Sequence, residues 1–340
     1  MRKQSIEIRN FILRMCKSKA RNVAAETARH FEISKQAASR HLQSLESSNM
    51  IQSSGRGNGK ESWLLPLVEK SWQVPLIGLR EDIVWREKIE PLVSDLQENV
   101  RDIWHYGVTE MVNNAIDHSE GNNLTIQFNR NALDVEIAIK DDGEGIFHRI
   151  QRLGNLYDPR EAILELAKGK FTTDPANHSG EGIFFSSRAF DSFEIISRNL
   201  FFSHEAEVDD WLIDNDRDFL GTLVLLRLGN YSTRTLNSIY AEFSPPDEFT
   251  FSKTIVPVRL ARHEGEKLVS RSQAKRLVSR FEKFKTVVLD FTGVEQIGQA
   301  FADEIFRVFA SSHTTVELIP MHAAVEVQQM IVRAIAARQA

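Results

Sequence analysis

Apolar and polar positions alternate along this chain with two different periods, and the switches between them outline its organisation. Residues 5–17 are apolar at Ile6, Ile8, Phe11, Ile12 and Met15, which predicts a helix. A second short helix is predicted over 24–30, followed by a turn at 31–33. A third is predicted over 35–47, with Ser34 as its N-cap and Ala38, Leu42 and Leu45 facing inward. Residues 50–54 and 62–65 then read as short strands around the glycine-rich turn 55–60. Residues 83–104 have the length of one helix. Val108, Met111, Val112, Ala115 and Ile116 recur at helical spacing. Residues 133–140 alternate through Val135, Ile137 and Ile139 as a strand. An apolar stretch over 183–190 returns to helix, and 221–226 to strand. In the last part, strands at 285–291 and 316–320 alternate with helices at 302–310 and 323–337, a pattern that implies an α/β sheet.

These patterns divide the chain at Pro66–Trp72 and again at 231–251, where Pro245 and Pro246 adjoin. The expected units are residues 1–70, 75–235 and 250–340, a multidomain α+β organisation. Charge changes at the same places: the segments 1–70, 71–251 and 252–340 carry net charges of +7, −16 and +4. A basic module on an acidic body points to nucleic-acid contact through the module. The acidic stretch 201–220 reads as an insertion between strands of the middle unit. With one cysteine, Cys16, the chain forms no internal disulfide and fits a reducing, cytoplasmic setting. No apolar run approaches the roughly 20 residues that span a bilayer. The charged N-terminus lacks the apolar core of a signal peptide.

The chemistry concentrates in three short boxes. In the first, Glu110 and Asn114 are spaced i, i+4 and share a helix face, with Asp117 one turn on. An Asn carbonyl is a suitable hard oxygen ligand for Mg²⁺, and a carboxylate one turn away can orient or deprotonate a water or hydroxyl. A solvated polar face would look the same. In the second, Asp141 ends a strand and Gly143, Gly145 and Ile146 follow in the turn DDGEGI. That turn lacks the late Glu of a calcium loop. In the third, Ser179, Gly180, Glu181 and Gly182 lead into the helix that begins near Ile183, and glycine-rich backbone at a helix N-terminus can cradle phosphate. Between the last two boxes, Lys168 and Lys170 lie in a segment with the composition of a mobile loop; both read equally well as solvated.

Together, in this order, the boxes resemble those of the GHKL ATP-binding fold shared by gyrase, Hsp90, histidine kinases and MutL, over about residues 81–229. The resemblance implies a sandwich of a mixed sheet with helices on one face. It implies that Asp141 accepts a hydrogen bond from the adenine amino group, with Thr222 assisting from the last strand. It also implies that the triphosphate sits at Gly180–Ile183, that residues 158–178 cover the nucleotide, and that Mg-ATP is the cofactor, with Asn114 on the metal and Glu110 as base. A histidine kinase is disfavoured, because 83–104 has room for one helix before His105, not for a dimerisation pair carrying a phosphoacceptor.

The first module resembles a winged helix-turn-helix, most closely in ISKQAASRHLQSLESSNMI. Such modules lay the third helix in the major groove, which nominates Lys35, Gln36, Ser39 and Arg40 for base edges and Arg56 and Lys60, on the wing, for the backbone or minor groove. The glycine turn is no P-loop, since three residues separate Gly55 from Gly59 and Lys60 precedes a strand. The segment VVLDFTGVEQIGQAFADEIF resembles a STAS-like domain. The phosphorylatable Ser of anti-sigma-factor antagonists has no counterpart in Gly298–Phe301, while Thr292 and the Ser270–Ser272 stretch read as structural or solvated. The expected function is an ATP-binding regulator acting on duplex DNA, with a regulatory protein partner or self-association as a homodimer. The alternatives are a Ser/Thr protein kinase of the anti-sigma type and an ATPase clamp.

Overall fold

The computed structural model describes residues 2–55, 59–172, 180–205, 208–214, 219–244, 250–262 and 266–339. The chain begins with helix α1 (Arg2–Cys16), the two-residue strand β1 (Ala20–Arg21), α2 (Val23–His30) and α3 (Lys35–Ser47). Ser34 caps α3 through its hydroxyl, which accepts from the Ala37 amide at 3.1 Å. Strands β2 (Ile51–Ser54) and β3 (Glu61–Leu64) complete a small antiparallel sheet in the order β1-β3-β2. Ile8, Ile12, Leu42, Leu45 and Ile51 make the core of this unit.

Strand β4 (Val68–Pro75) follows directly and already belongs to the second sheet, pairing with β5 (Asn123–Arg130) from Val68 onward. Trp72 therefore lies inside a strand rather than at a boundary. The expected long helix over 83–104 is divided. α4 (Glu81–Val84) and α5 (Glu90–Val93) flank a π turn at Trp85–Ile89, and the chain bends before α6 (Glu98–His118). Pro91 follows the π turn within this continuous helical run, and having no amide to donate to the preceding turn it sits where the hydrogen-bond ladder changes register. Then come β6 (Asp134–Asp141), α7 (Ile146–Gly154), α8 (Glu161–Lys168), α9 (Gly182–Ala189), β7 (Ser192–Ser197), β8 (Leu200–Glu205), β9 (Val208–Asp214) and β10 (Thr222–Gly229).

The second sheet runs β4-β5-β6-β10-β7-β8-β9. Every described pairing in it is antiparallel, so the mixed sheet expected from the sequence is corrected. The reason is topological. The neighbours β5–β6, β7–β8 and β8–β9 follow one another along the chain, and β10 returns between β6 and β7 running against both. The acidic insertion becomes the β8–β9 edge. Strand β10 alternates buried and half-buried positions, and α6 and α9 cover the buried face.

After α10 (Leu236–Phe243), three parallel strands, β11 (Lys253–Pro257), β12 (Thr286–Asp290) and β13 (Glu317–Met321), form the third sheet with β12 central. Helices α11 (Arg271–Val278), α12 (Gln299–Asp303), α13 (Ala310–Ser312) and α14 (Val325–Gln339) pack with it, and α12 and α13 are joined through a π turn. The second and third sheets share one continuous apolar core. Phe184, Phe185, Phe243, Phe251 and Phe284 interlock at their junction with centroids 4.5–6.4 Å apart. The first unit docks elsewhere. Ala132 and Leu133, in the β5–β6 turn, join its core, and the Lys17 ammonium meets Asp134 at 2.9 Å. No described helix is long and apolar enough to cross a membrane.

Candidate functional site

One end of β6 opens into a cavity of about 420 Å³, bounded by α6, α7, α9, β10 and the segment after α8. Its floor is Asp141. The alternation that buries Val135, Ile137 and Ile139 also turns Asp141 inward, leaving it 6% exposed. Its Oδ1 accepts from the Gly143 amide at 2.9 Å and the Thr222 amide at 3.1 Å. Burial pushes its carboxyl above the ordinary 3.8, against the lowering effect of those amides. Thr222, on the adjacent strand, accepts from the Ile146 amide at 3.0 Å, which ties β10 to the start of α7. Gly145 caps α7 at φ +94°, a conformation that disfavours a side chain.

The opposite wall is α6, which presents Glu110, Asn113, Asn114, His118 and Ser119 to the cavity. The Glu110 carboxylate lies against the first residue of α9: a Cβ at Gly182 would stand 2.0 Å from Glu110 Oε2. Gly180, Gly182 and Ile183 line the mouth there. Near Glu110, the rings of Tyr106 and Tyr240 meet edge to face at 6.2 Å; burial, with the charge of Glu110 adding, raises both hydroxyls above the tyrosine range. Ile139, Ile150 and Val224 supply apolar surface, and Arg149 supplies a cation that also donates to Glu120 at 2.7 Å. An apolar slot with a few convergent polar groups is the usual form of a small-ligand site.

The cavity thus gathers Glu110, Asn114, Asp141, Ile146, Gly180, Gly182, Ile183 and Thr222 from the sequence-derived set. Gly143, Gly145 and Glu181 adjoin these residues in the chain without lining the cavity. Asp117 does not line it either: it is exposed, although its spacing of three from Asn114 and seven from Glu110 puts it near their face of the helix. Lys168 and Lys170 are corrected. Lys168 is 1% exposed and points away from the cavity, bonded to Glu165 Oε1 at 2.7 Å and to the backbone oxygens of Arg276 and Ser279. Lys170 donates to the Lys283 carbonyl at 3.1 Å and lies over the rings of Phe251 and Phe284. Ser179 lies outside the described residues. Sequence reasoning missed Asn113, His118, Arg149, Leu166, Phe171 and Thr172. Arg149 sits one turn into the helix after DDGEGI, the one signal that pointed to it.

A second polar constellation lies in the first unit. Lys35, Gln36 and Arg40 are exposed on α3 and Ser39 is half-buried. Lys60 is engaged instead of free, its ammonium 3.1 Å from Glu46 Oε1. Arg56 lies outside the described residues. A third lies in the last sheet, where Asp290 Oδ1 accepts from the amide and hydroxyl of Thr292 at 3.0 and 2.8 Å and meets His322 Nδ1 at 2.9 Å. No group of three or more His, Cys, Asp or Glu poised for a metal occurs among the described residues.

No curated protein matches the chain. Residues 273–328, which include β12, β13 and the helices between them, are similar to a family described as a STAS-like domain of unknown function (DUF4325).

Proposed function

We propose that this chain is an ATP-binding regulator whose nucleotide cavity governs a DNA-binding first unit. The observation that carries the reading is Asp141: a buried carboxylate at a strand end, held by two amides, on the floor of a cavity with apolar walls. A carboxylate so placed is suited to accept from an exocyclic amine, and Ile139, Ile146 and Val224 are suited to the faces of a base. This agrees with the resemblance of the three boxes to the GHKL fold. Gly180 and Gly182, at the N-terminus of α9, would take phosphate. Asn114 would give Mg²⁺ one oxygen, with phosphate and water completing its shell, which suits an ion that keeps much of its hydration. Mg²⁺ would supply charge neutralisation at the phosphates. Glu110, whose carboxylate lies beside α9, would accept a proton in any transfer step. Calorimetry with Mg-ATP tests the reading, with micromolar binding by the intact protein and none by a Gly182→Val variant as the expected result. Full-strength ATP binding by that folded variant would overturn it.

For the first unit, the order of three helices and two antiparallel strands, the +7 charge of residues 1–70 and the exposure of Lys35, Gln36 and Arg40 support winged-helix binding to duplex DNA. Lys60 would first have to leave Glu46. Gel shifts at fixed salt, with and without a non-hydrolysable ATP analogue, test both the binding and its control by nucleotide. A second reading is favoured by the position of Glu110: phosphoryl transfer, to water as in an ATPase clamp or to a protein hydroxyl as in a Ser/Thr kinase. With γ-labelled ATP, free phosphate selects the first, labelled protein the second, and neither leaves ATP as a ligand alone. The STAS-like part, on this reading, is the surface for a protein partner or a second copy.

A further inference from the structure

Helix α8 has two faces in different places. Leu166, with Phe171 and Thr172 just beyond it, lines the cavity. Glu161, Glu165 and Lys168 face the third sheet's helix α11. The Lys168 ammonium has three donors and three acceptors: Glu165 Oε1 at 2.7 Å and the carbonyls of Arg276 and Ser279, at the C-terminus of α11, at 2.8 and 3.0 Å. Arg276 answers by donating to Glu161 at 3.0 Å, and Thr254 on β11 donates to the Lys168 carbonyl at 2.7 Å. Beyond the helix, Lys170 and Lys283 each donate to the other's backbone oxygen. Arg280 makes the link to the cavity itself. Its guanidinium lies 4.3 Å from the ring centroid of Phe171, a cavity residue, while its Nε is 3.5 Å from Glu165 Oε2.

This buried bundle is incompletely satisfied. Glu165 Oε2 and Arg280 Nη1 are both buried without a hydrogen-bond partner. A buried ionic group with open valences is costly, and small displacements change its energy steeply. One helix therefore lends Leu166 to the cavity wall and, from its other face, Glu161, Glu165 and Lys168 to the charge balance of the α11 C-terminus.

We infer that occupancy of the cavity and the conformation of residues 271–284 are coupled through the Glu165–Lys168–Arg280–Phe171 bundle, so that the STAS-like part reads, and in turn sets, the nucleotide site. The inference rests on the nucleotide reading for the identity of the ligand, and on the geometry alone for the coupling. Coupling of this kind is reciprocal: a partner that seizes α11 changes ligand affinity by the factor by which ligand changes partner affinity. Ligand that moves Phe171 moves Arg280, and with it the pairing of Glu165.

Hydrogen exchange on the full-length protein tests this in two arms. Without ligand, the double variant Arg276→Ala, Arg280→Ala should speed exchange of 161–172 by about tenfold or more while leaving 100–118 near the intact rate, as expected of a locally coupled unit. Arg280→Lys, which keeps the charge and loses the planar stack on Phe171, should show the same pattern more weakly and guards against loss of folding. With Mg²⁺ and a non-hydrolysable ATP analogue, the intact protein should gain protection over 271–284, and the variants should bind the analogue without that gain. Unchanged exchange at 161–172 in both variants overturns the coupling, as does analogue binding that leaves 271–284 untouched. If the intact protein binds no analogue, the nucleotide reading falls, and the ligand-free arm decides the coupling by itself.

Discussion

Asp141 and Asp290 stand at equivalent places in two different sheets. Each is the last residue of a strand, and each holds the amide two residues on through Oδ1, at 2.9 and 3.0 Å. The local turn is the same. Their surroundings are not. Asp141 is covered by the neighbouring strand β10, whose Thr222 amide is its second donor, and faces a cavity. Asp290 is met by the hydroxyl of Thr292 and the exposed ring of His322 at a sheet end. Burial dominates at Asp141 and raises its carboxyl. At Asp290 burial also raises it, but the Thr292 and His322 bonds outweigh that and hold it below 3.8. The same aspartate turn lies on the floor of a cavity at Asp141, where β10, α6 and α7 close a hollow over it.

The sharpest break in this comparison is at the residue two positions on. A Cβ on Gly143 would fall 2.0 Å from the Ser119 backbone oxygen, so Gly143→Ala must displace α6 from the turn. The expected loss is about 3 kcal/mol, seen as a lower denaturation midpoint together with loss of ligand binding. Next in size, Asp141→Asn should weaken ATP by about 10- to 150-fold in calorimetry, the cost of about 1.5–3 kcal/mol for a charged hydrogen bond. Asp290→Asn should leave ATP affinity unchanged; equal losses in the two would dissolve the distinction.

The two carboxylates should also respond oppositely to pH. With its folded pKa raised, Asp141 favours the folded state most when protonated, below 3.8, and that contribution is lost as pH rises through its folded value. Asp290, with its pKa depressed, stabilises the fold above 3.8 and loses this as pH falls through its folded value. At neutral pH, Asp141→Asn should therefore raise stability even as it impairs binding. Asp290→Asn should lower it. Denaturation curves at pH 3 to 7 check both signs. The smallest effect expected is Thr292→Ala, which removes a half-exposed hydroxyl bonded to Asp290 and His322 and should cost about 1 kcal/mol.

Much of this was legible along the chain because it rests on local rules. The periodicity of Val135, Ile137 and Ile139 requires Asp141 to turn inward with them. Ser34 before an apolar pattern predicted α3 with the bounds observed, Lys35–Ser47. Glu110 and Asn114 share a face by helix geometry alone, and both reach the cavity. Asp117 falls near the same face by that geometry, yet it is exposed and does not line the cavity, which spacing alone does not tell. The π turns at Trp85–Ile89 and Glu304–Phe309 had no such signal, since their periodicity differs from that of an α-helix by a fraction of a residue per turn.

Sequence by itself determined the elements, the turn chemistry of DDGEGI and the glycines that admit close contacts, because these depend on neighbours within a few residues. Only the tertiary structure decided where the cations went. Lys168 and Lys170 have the composition of a phosphate-facing loop, yet both turn to the third sheet. The exposed C-terminus of α11 offers carbonyls, and Glu165 a charge, that solvent-facing positions would lack. Lys60 pairs with Glu46 for a related reason, the return of β3 beside α3. A long side chain takes the partner that lies nearest once the chain has folded. Two of the three partners of Lys168, Arg276 and Ser279, lie more than a hundred positions away, a separation that no local pattern encodes.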